Sequence, residues 1–140
     1  MTTASDDGPD IEWRQTFPHP DWNDPGDAVV WIDPMKFDIA WRKTDQWISP
    51  GGQEGAQDSR YQRIGGWINA GNVVNMCEVA VGKDGVSFLN GRHRFAWLRD
   101  QGVRAMPFQV APGSVAEFEA RFGTPLRRSR LPSRRKRSDE

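Results

Sequence analysis

One short run carries most of the chemistry this chain offers: FLNGRHRF, Phe88 to Phe95, where Arg92, His93 and Arg94 stand directly behind Gly91. Phe95, Trp97 and Leu98 give an apolar stripe at helical spacing and Gly102 a stop, so the three basic residues fall in the first turn of a helix, with Asn90 as its expected N-cap. A helix N-terminus exposes unpaired N–H groups and carries about half a positive charge, so each arginine there costs roughly 0.3–1 kcal/mol unless something negative sits among them. An anion turns that cost into binding: Gly91 lets it approach the backbone, Arg92 and Arg94 neutralise it, and His93 donates a hydrogen bond or serves as an acid. The plainer alternative is that the arginines reach solvent or pair with Asp84 or Asp100 while His93 bonds a loop carbonyl. Strand, Asn-Gly, Arg-His-Arg and helix together favour a phosphate-binding turn, and a phosphate also accounts for the glycine.

The elements that must position this turn are legible on both sides of it. AVVWI reads as a short buried strand, followed by Asp33 as N-cap and Pro34 at the first helical position, with Phe37, Ala40 and Trp41 on one helical face. ISPGGQEGAQ, Ile48 to Gln57, is a glycine-rich loop. Asp58 or Ser59 then caps a second helix with Tyr61, Ile64 and Ile68 at helical spacing and Gly71 as its stop. Gly65 and Gly66 inside it cost about 1 kcal/mol each relative to alanine, which predicts a close packing contact. VVNMCEVAV reads as a central strand with Cys77 and Val79 on one face and Glu78 on the other. KDG turns the chain into VSFL, and the basic helix follows. AMPFQV is a further strand, placed by Pro107 at an edge or at its own start. Ser114 and Glu117 form a capping box for a last helix that ends at Gly123 and Pro125.

Charge divides the 140 residues unevenly. Net charge is zero, yet seven of the 19 basic residues lie in the last 14 positions, leaving 12 basic against 17 acidic residues, a net of −5, before Arg127. We expect an Asp/Pro-rich flexible arm over residues 1–27, on which Trp13, Phe17 and Trp22 are potential anchors, a domain over 28–123, and a basic disordered tail over 124–140. That tail either binds nucleic acid phosphates without sequence preference or is a solvated segment. Cys77 is the only cysteine, which excludes an intramolecular disulfide and fits a reducing compartment. No apolar run approaches the roughly 20 residues of a spanning helix, and six aspartates stand where a secretory signal would be basic then apolar, so a soluble cytoplasmic protein is expected.

VSFLNGRHRFAWLRDQGVRAMPFQV, preceded by RYQRIGGWINAG and VNMCEVAV, resembles the ParB/sulfiredoxin superfamily, in which a strand leads into a Gly-x-His-Arg or Gly-x-Arg-Arg turn that holds nucleotide phosphates. Within it, GRHRFAWLRDQGVRAMP and VWIDPMKFDIAW are most similar to the plasmid fertility inhibition factors. The similarity spans roughly Ala28 to Ala111, and its one sharp motif is Asn90 to Arg94. It implies an α+β fold, a small mixed sheet with packed helices and the phosphate turn at a helix N-terminus. Two departures narrow it. Sulfiredoxins carry a catalytic cysteine at the position of Arg92, so sulfinic acid repair is not expected. The CTP-binding partition proteins continue into a helix-turn-helix domain that this chain is too short to hold.

What remains is a stand-alone domain of that kind, for which the resemblance implies binding and hydrolysis of ATP or another NTP, expected with Mg²⁺, and leaves open DNA binding or cleavage, in the service of blocking a competing conjugative plasmid. On that carry-over Asn90, Gly91, Arg92, His93 and Arg94 bind the phosphates. Hydrolysis also needs a group to orient water or hold metal. Glu78 is the internal candidate because an unpaired carboxylate in an apolar strand is expensive, though it serves equally well as a buried partner for Arg92 or Arg60. Arg60 is a further phosphate-side residue, Glu54 a weaker loop candidate and Trp47 a nucleobase contact, while Trp31, Trp41, Trp67 and Trp97 are expected in the core. His19, between prolines, is a loop residue. Two other functions remain open: a non-catalytic module that blocks a conjugation or secretion component by binding, and a small-molecule kinase using the same turn.

Overall fold

Asp33 starts the first helix as expected: its Oδ1 accepts from the Met35 N–H at 2.9 Å, and Pro34, which has no N–H to leave unpaired, opens the helix. The computed structural model describes residues 8–18, 21–22, 24, 26–52, 59–83 and 85–132. Along them run β1 (Trp13–Arg14), β2 (Ala28–Ile32), α1 (Pro34–Trp41), α2 (Arg60–Asn69), β3 (Val74–Asn75), β4 (Cys77–Gly82), β5 (Gly85–Asn90), α3 (Arg92–Asp100), β6 (Met106–Val110) and α4 (Val115–Phe122). Short 3-10 turns lie at Pro50–Gly52 and Pro112–Ser114. The α+β expectation holds.

Four strands form one mixed sheet in the order β2-β6-β4-β5, with β4 parallel to β6 and antiparallel to β5, while β1 and β3 make a separate parallel pair. VVNMCEVAV is thus split at Met76 into an outlying piece and a central strand. β6 is an interior strand, and Pro107 lies before the first residue paired with β4, which is where a ladder tolerates the missing donor. Strand alternation sends Val30, Ile32, Cys77, Val79, Phe88, Met106 and Phe108 to the helix-covered face. There Phe37 of α1 meets Phe88, Phe95, Phe108 and Phe122 edge-on, with ring centroids 4.9–5.5 Å apart.

Helix α2 lies against α3 because Gly65 has no side chain: a Cβ there would run into Trp97 Nε1. Around Gly66 a Cβ meets nothing within 4 Å. The expected close contact belongs to Gly65 alone. Gly65→Ala should therefore destabilise by about 1–3 kcal/mol through overpacking against a buried ring. Gly66→Ala should stabilise by up to about 1 kcal/mol, and urea unfolding of the two variants gives the two signs.

The capping box at Ser114 is not formed, because Pro112–Ser114 turns as a 3-10 segment and Ser114 reaches its cap position with helical φ and ψ and no side-chain bond. Both termini of the expected domain also extend further than local composition suggests. Trp13 Nε1 donates to Ser129 Oγ at 3.0 Å, Ser129 is 1% exposed, and Arg128 and Arg130 reach the Asp10 carboxylate at 2.7 and 2.9 Å. Thr16 pairs with the Gln109 side chain in both directions, N–H to Oε1 at 2.8 Å and Nε2 to carbonyl at 2.9 Å. Residues up to Pro18 and on to Pro132 thus include packed segments beyond the boundaries at 27 and 124. His19, Glu54, Asp58, Asp84, Arg134, Arg135, Lys136 and Arg137 lie outside the described residues.

Candidate functional site

The basic turn forms as the sequence implies, with different caps. Asn90 is the last residue of β5, and Gly91 holds the N-cap position of α3 at φ 98°, in the left-handed region, with no side chain to cap the helix. The first intrahelical bond runs from the Phe95 N–H to the Gly91 carbonyl at 2.9 Å, so the N–H groups ahead of it have no partner within the helix. Close packing supplies a second reason for the glycine, since a Cβ would stand 2.8 Å from Cys77 Sγ and 2.7 Å from Arg94 Nη2.

β5 enters this turn through an irregularity. Val79 pairs with Phe88 and Glu78 with Asn90, so Leu89 is an extra residue on β5, a bulge, and its side chain is 69% exposed. Gln46 covers the open edge beside it: Oε1 accepts from the Phe88 N–H at 2.8 Å and Nε2 donates to the Phe88 carbonyl at 3.2 Å. The Gln46 main-chain carbonyl in turn accepts from Arg92 Nη1 at 3.3 Å. Arg92 is thereby oriented by a loop 46 residues earlier in the chain, a contact that no local pattern announces.

These parts border a cleft of about 590 Å³, within the range of small-molecule pockets. One wall is Asn90, Gly91, Arg92, His93 and Arg94; the other is α2, which contributes Arg60, Arg63, Ile64 and Trp67. Neither α2 nor α3 has an acidic residue in its first turn, and no Asp or Glu occurs among the described lining residues. Four arginines thus face one cleft in a chain of zero net charge. Arg94 Nη2 reaches the Met76 carbonyl at 3.3 Å, while its Nε is buried without an acceptor among the described residues, a position that costs a charged group more than the usual 1–3 kcal/mol.

The sequence reading placed Asn90, Gly91, Arg92, His93, Arg94 and Arg60 at the site, and the structure brings all six to this cleft. Glu78 does not join them. It stands on the opposite face of β4 from Cys77 and accepts from Thr16 Oγ1 at 2.8 Å, so a threonine from the N-terminal arm, and not Arg92 or Arg60, is its partner. Trp47 is not a cleft residue either. Its Nε1 donates to Asp38 at 3.1 Å and its ring packs beneath Arg42 and Arg99. Trp67, assigned to the core by composition, is 52% exposed and lines the cleft. Arg63 and Trp67 were missed, although Arg60, Arg63 and Trp67 recur at helical spacing beside the buried Tyr61–Gly65–Ile68 face. Asp100 does not pair with Arg92 or Arg94; it bonds Arg99, Tyr61 and the Gly51 N–H.

Beneath the turn, Cys77 Sγ donates to the Gly91 carbonyl at 3.4 Å. Burial pushes its thiol up to about 11, and the nearby Arg94 guanidinium only partly offsets this. The folded value lies above that of an unfolded cysteine, about 8.5, so this contribution to stability is complete below that pH and lost as pH rises toward 11. Alkylation at pH 8 should be slow in the native protein and fast in denaturant. Fast native labelling would show that the turn does not cover Cys77.

The family model described as plasmid fertility inhibition factor matches residues 29–123. The chain belongs to the plasmid fertility inhibition factor family. The match runs from β2 to the end of α4 and so contains both walls of the cleft. A solved structure described as the Oncogenic Suppression Activity Protein, a plasmid fertility inhibition factor, in a gold(I) cyanide derivative, is similar to this chain with a TM-score of 0.60. The likeness covers 82% of this chain and 71% of that one at 18% identity, and shows a shared fold. No curated protein matches the chain. Among the described residues, no helix of this chain is long and apolar enough to cross a membrane.

Proposed function

We propose that this fertility inhibition factor acts through its arginine-lined cleft, which binds the phosphates of a nucleotide, and that the ParB/sulfiredoxin resemblance of the Asn90–Arg94 turn reflects that use. The observation that carries the reading is the cleft wall at Gly91, where Arg92 and Arg94 stand in the first turn of a helix that has no acidic residue there. Arg92 and Arg94 at a glycine-led helix N-terminus supply charge-assisted bonds and the helix end supplies N–H donors.

Mg²⁺ prefers carboxylate and phosphate oxygens, and the described lining offers arginines instead; nor do the described residues gather three His, Cys, Asp or Glu in one place. This donor set does not fit a protein-held Mg²⁺. Of the catalytic groups expected from sequence, His93 lines the cleft and is the group that would exchange a proton with a phosphate or a leaving oxygen in NTP hydrolysis or DNA cleavage there. Glu78, the internal carboxylate expected to serve hydrolysis, is engaged by Thr16 Oγ1, which favours a second reading in which nucleotide binding alone controls an interaction with a component of the conjugation machinery.

A mating assay tests the link between cleft and biology. A donor expressing the chain should transfer a competing conjugative plasmid less often, and Arg92→Ala/Arg94→Ala should restore transfer. Full inhibition by a folded double variant would remove the cleft from the function. Phosphate release from ATP by the wild type, lost in His93→Ala, would distinguish turnover from binding alone.

A further inference from the structure

The wall contributed by α2 has a composition that phosphate binding does not use up. Arg60, Arg63 and Trp67 follow one another at i, i+3 and i+7, which puts them along one side of the helix. The Gly65 contact with Trp97 fixes that helix against α3, and Asn72 Nδ2 holds the Trp67 carbonyl at 3.0 Å. Trp67 is therefore a half-exposed indole on a fixed backbone rather than a residue on a mobile loop. Leu89, next to the buried Phe88 and so on the opposite face of β5, is the other large apolar side chain exposed in the same cleft. An exposed indole and an exposed leucine thus line the same cleft as Arg92 and Arg94. A ligand matching both parts carries a flat apolar ring and a phosphate on one small molecule.

We infer that Trp67, with Leu89 beside it, is the stacking platform for the base of a nucleotide whose phosphates lie at Arg92 and Arg94, so that the cleft selects a nucleotide over inorganic polyphosphate. The inference rests on the phosphate reading of the cleft. Stacking on an aromatic ring tolerates any base, because every base presents a π-face, so the platform confers preference for a nucleotide without choosing which one.

The test titrates ATP and inorganic tripolyphosphate into the wild type, Trp67→Leu and Trp67→Phe, with melting temperatures of the free proteins as a check on folding. ATP should bind the wild type about tenfold more tightly than tripolyphosphate. Trp67→Leu should lose about tenfold in ATP affinity and nothing in tripolyphosphate affinity, and Trp67→Phe should recover most of the loss. Tryptophan fluorescence quenched by ATP in the wild type should not respond in Trp67→Phe. Equal affinity for the two ligands, or an unchanged Trp67→Leu, overturns the platform while leaving the phosphate site standing. Binding of neither ligand overturns the phosphate site and the platform with it. An oligothymidylate in parallel separates the two sources of such a base: Trp67-dependent binding tighter than that of ATP supports a base within a single strand, and weaker binding supports a free nucleotide.

Discussion

Arg92→Ala/Arg94→Ala is expected to remove nucleotide binding while the protein still folds. Charge-assisted hydrogen bonds contribute roughly 1.5–3 kcal/mol each, so losing two lowers affinity by about a hundredfold or more. Arg92 donates to the Gln46 carbonyl, and at this partly exposed position water readily replaces that donor. Arg94 is packed more closely, with Nη2 2.7 Å from where a Gly91 Cβ would be, and its removal opens space beside Cys77. The single variant Arg92→Ala is therefore the cleaner probe of the ligand and the double variant the more complete one. Calorimetric titration of ATP gives both numbers. Unchanged affinity in both would mean that the anion, if one binds, does not bind at this helix.

The largest expected loss of stability lies elsewhere, at Arg99. This arginine is 7% exposed and bridges Asp38 of α1 at 3.0 Å and its neighbour Asp100 at 2.8 Å, while its guanidinium packs between the Trp41 and Trp47 rings. Burial alone would lower its pKa, but the Asp100 and Asp38 carboxylates outweigh that and raise it. Replacing it by methionine keeps much of the volume and leaves two largely buried carboxylates without their cation. Breaking a buried pair in this way costs about 3–5 kcal/mol, whereas replacing every partner by apolar groups is often neutral. Urea unfolding of Arg99→Met should show a loss of that size, and Asp38→Asn in the same background should recover part of it. A loss below about 1 kcal/mol would place the network among weak surface pairs. The network also reaches the cleft: Asp100 holds the Gly51 N–H at 2.9 Å and the Tyr61 hydroxyl, which sets the start of α2 and hence Arg60 and Arg63.

The turn at Gly91 and the helix behind it were legible because their signals are local: a glycine, three basic residues and an apolar stripe within a dozen positions. The Gly65 contact was legible for the same reason, since a costly glycine inside a helix asks for a neighbour. Of the packed termini, only the anchoring of Trp13 was legible. Arg128 and Arg130 look like members of a solvated basic run, and their partner Asp10 lies 118 and 120 positions away. Trp67 was misplaced because composition cannot tell which side of α2 meets the core, a question settled by Gly65 against Trp97. The register shift where β5 meets Glu78 and Val79 arises from the pairing of β5 with β4 and leaves no mark in either strand alone. Glu78 illustrates the converse: a carboxylate in an apolar strand correctly predicted a partner, but the partner came from the arm that had been set outside the domain.

The central claim, that the cleft binds nucleotide phosphates, is tested most directly by the melting temperature of the purified protein with and without ATP and CTP, at low and at moderate salt. A ligand at a hundredfold excess over its dissociation constant adds about 2.7 kcal/mol, which at roughly 3 °C per kcal/mol for a chain of this size is a rise of about 8 °C. Such a rise is expected, reduced by salt because it depends on arginine–phosphate contacts, and absent in Arg92→Ala/Arg94→Ala. An unchanged melting temperature with either nucleotide up to millimolar concentration at low salt would contradict it and leave the fold as a scaffold for a protein partner.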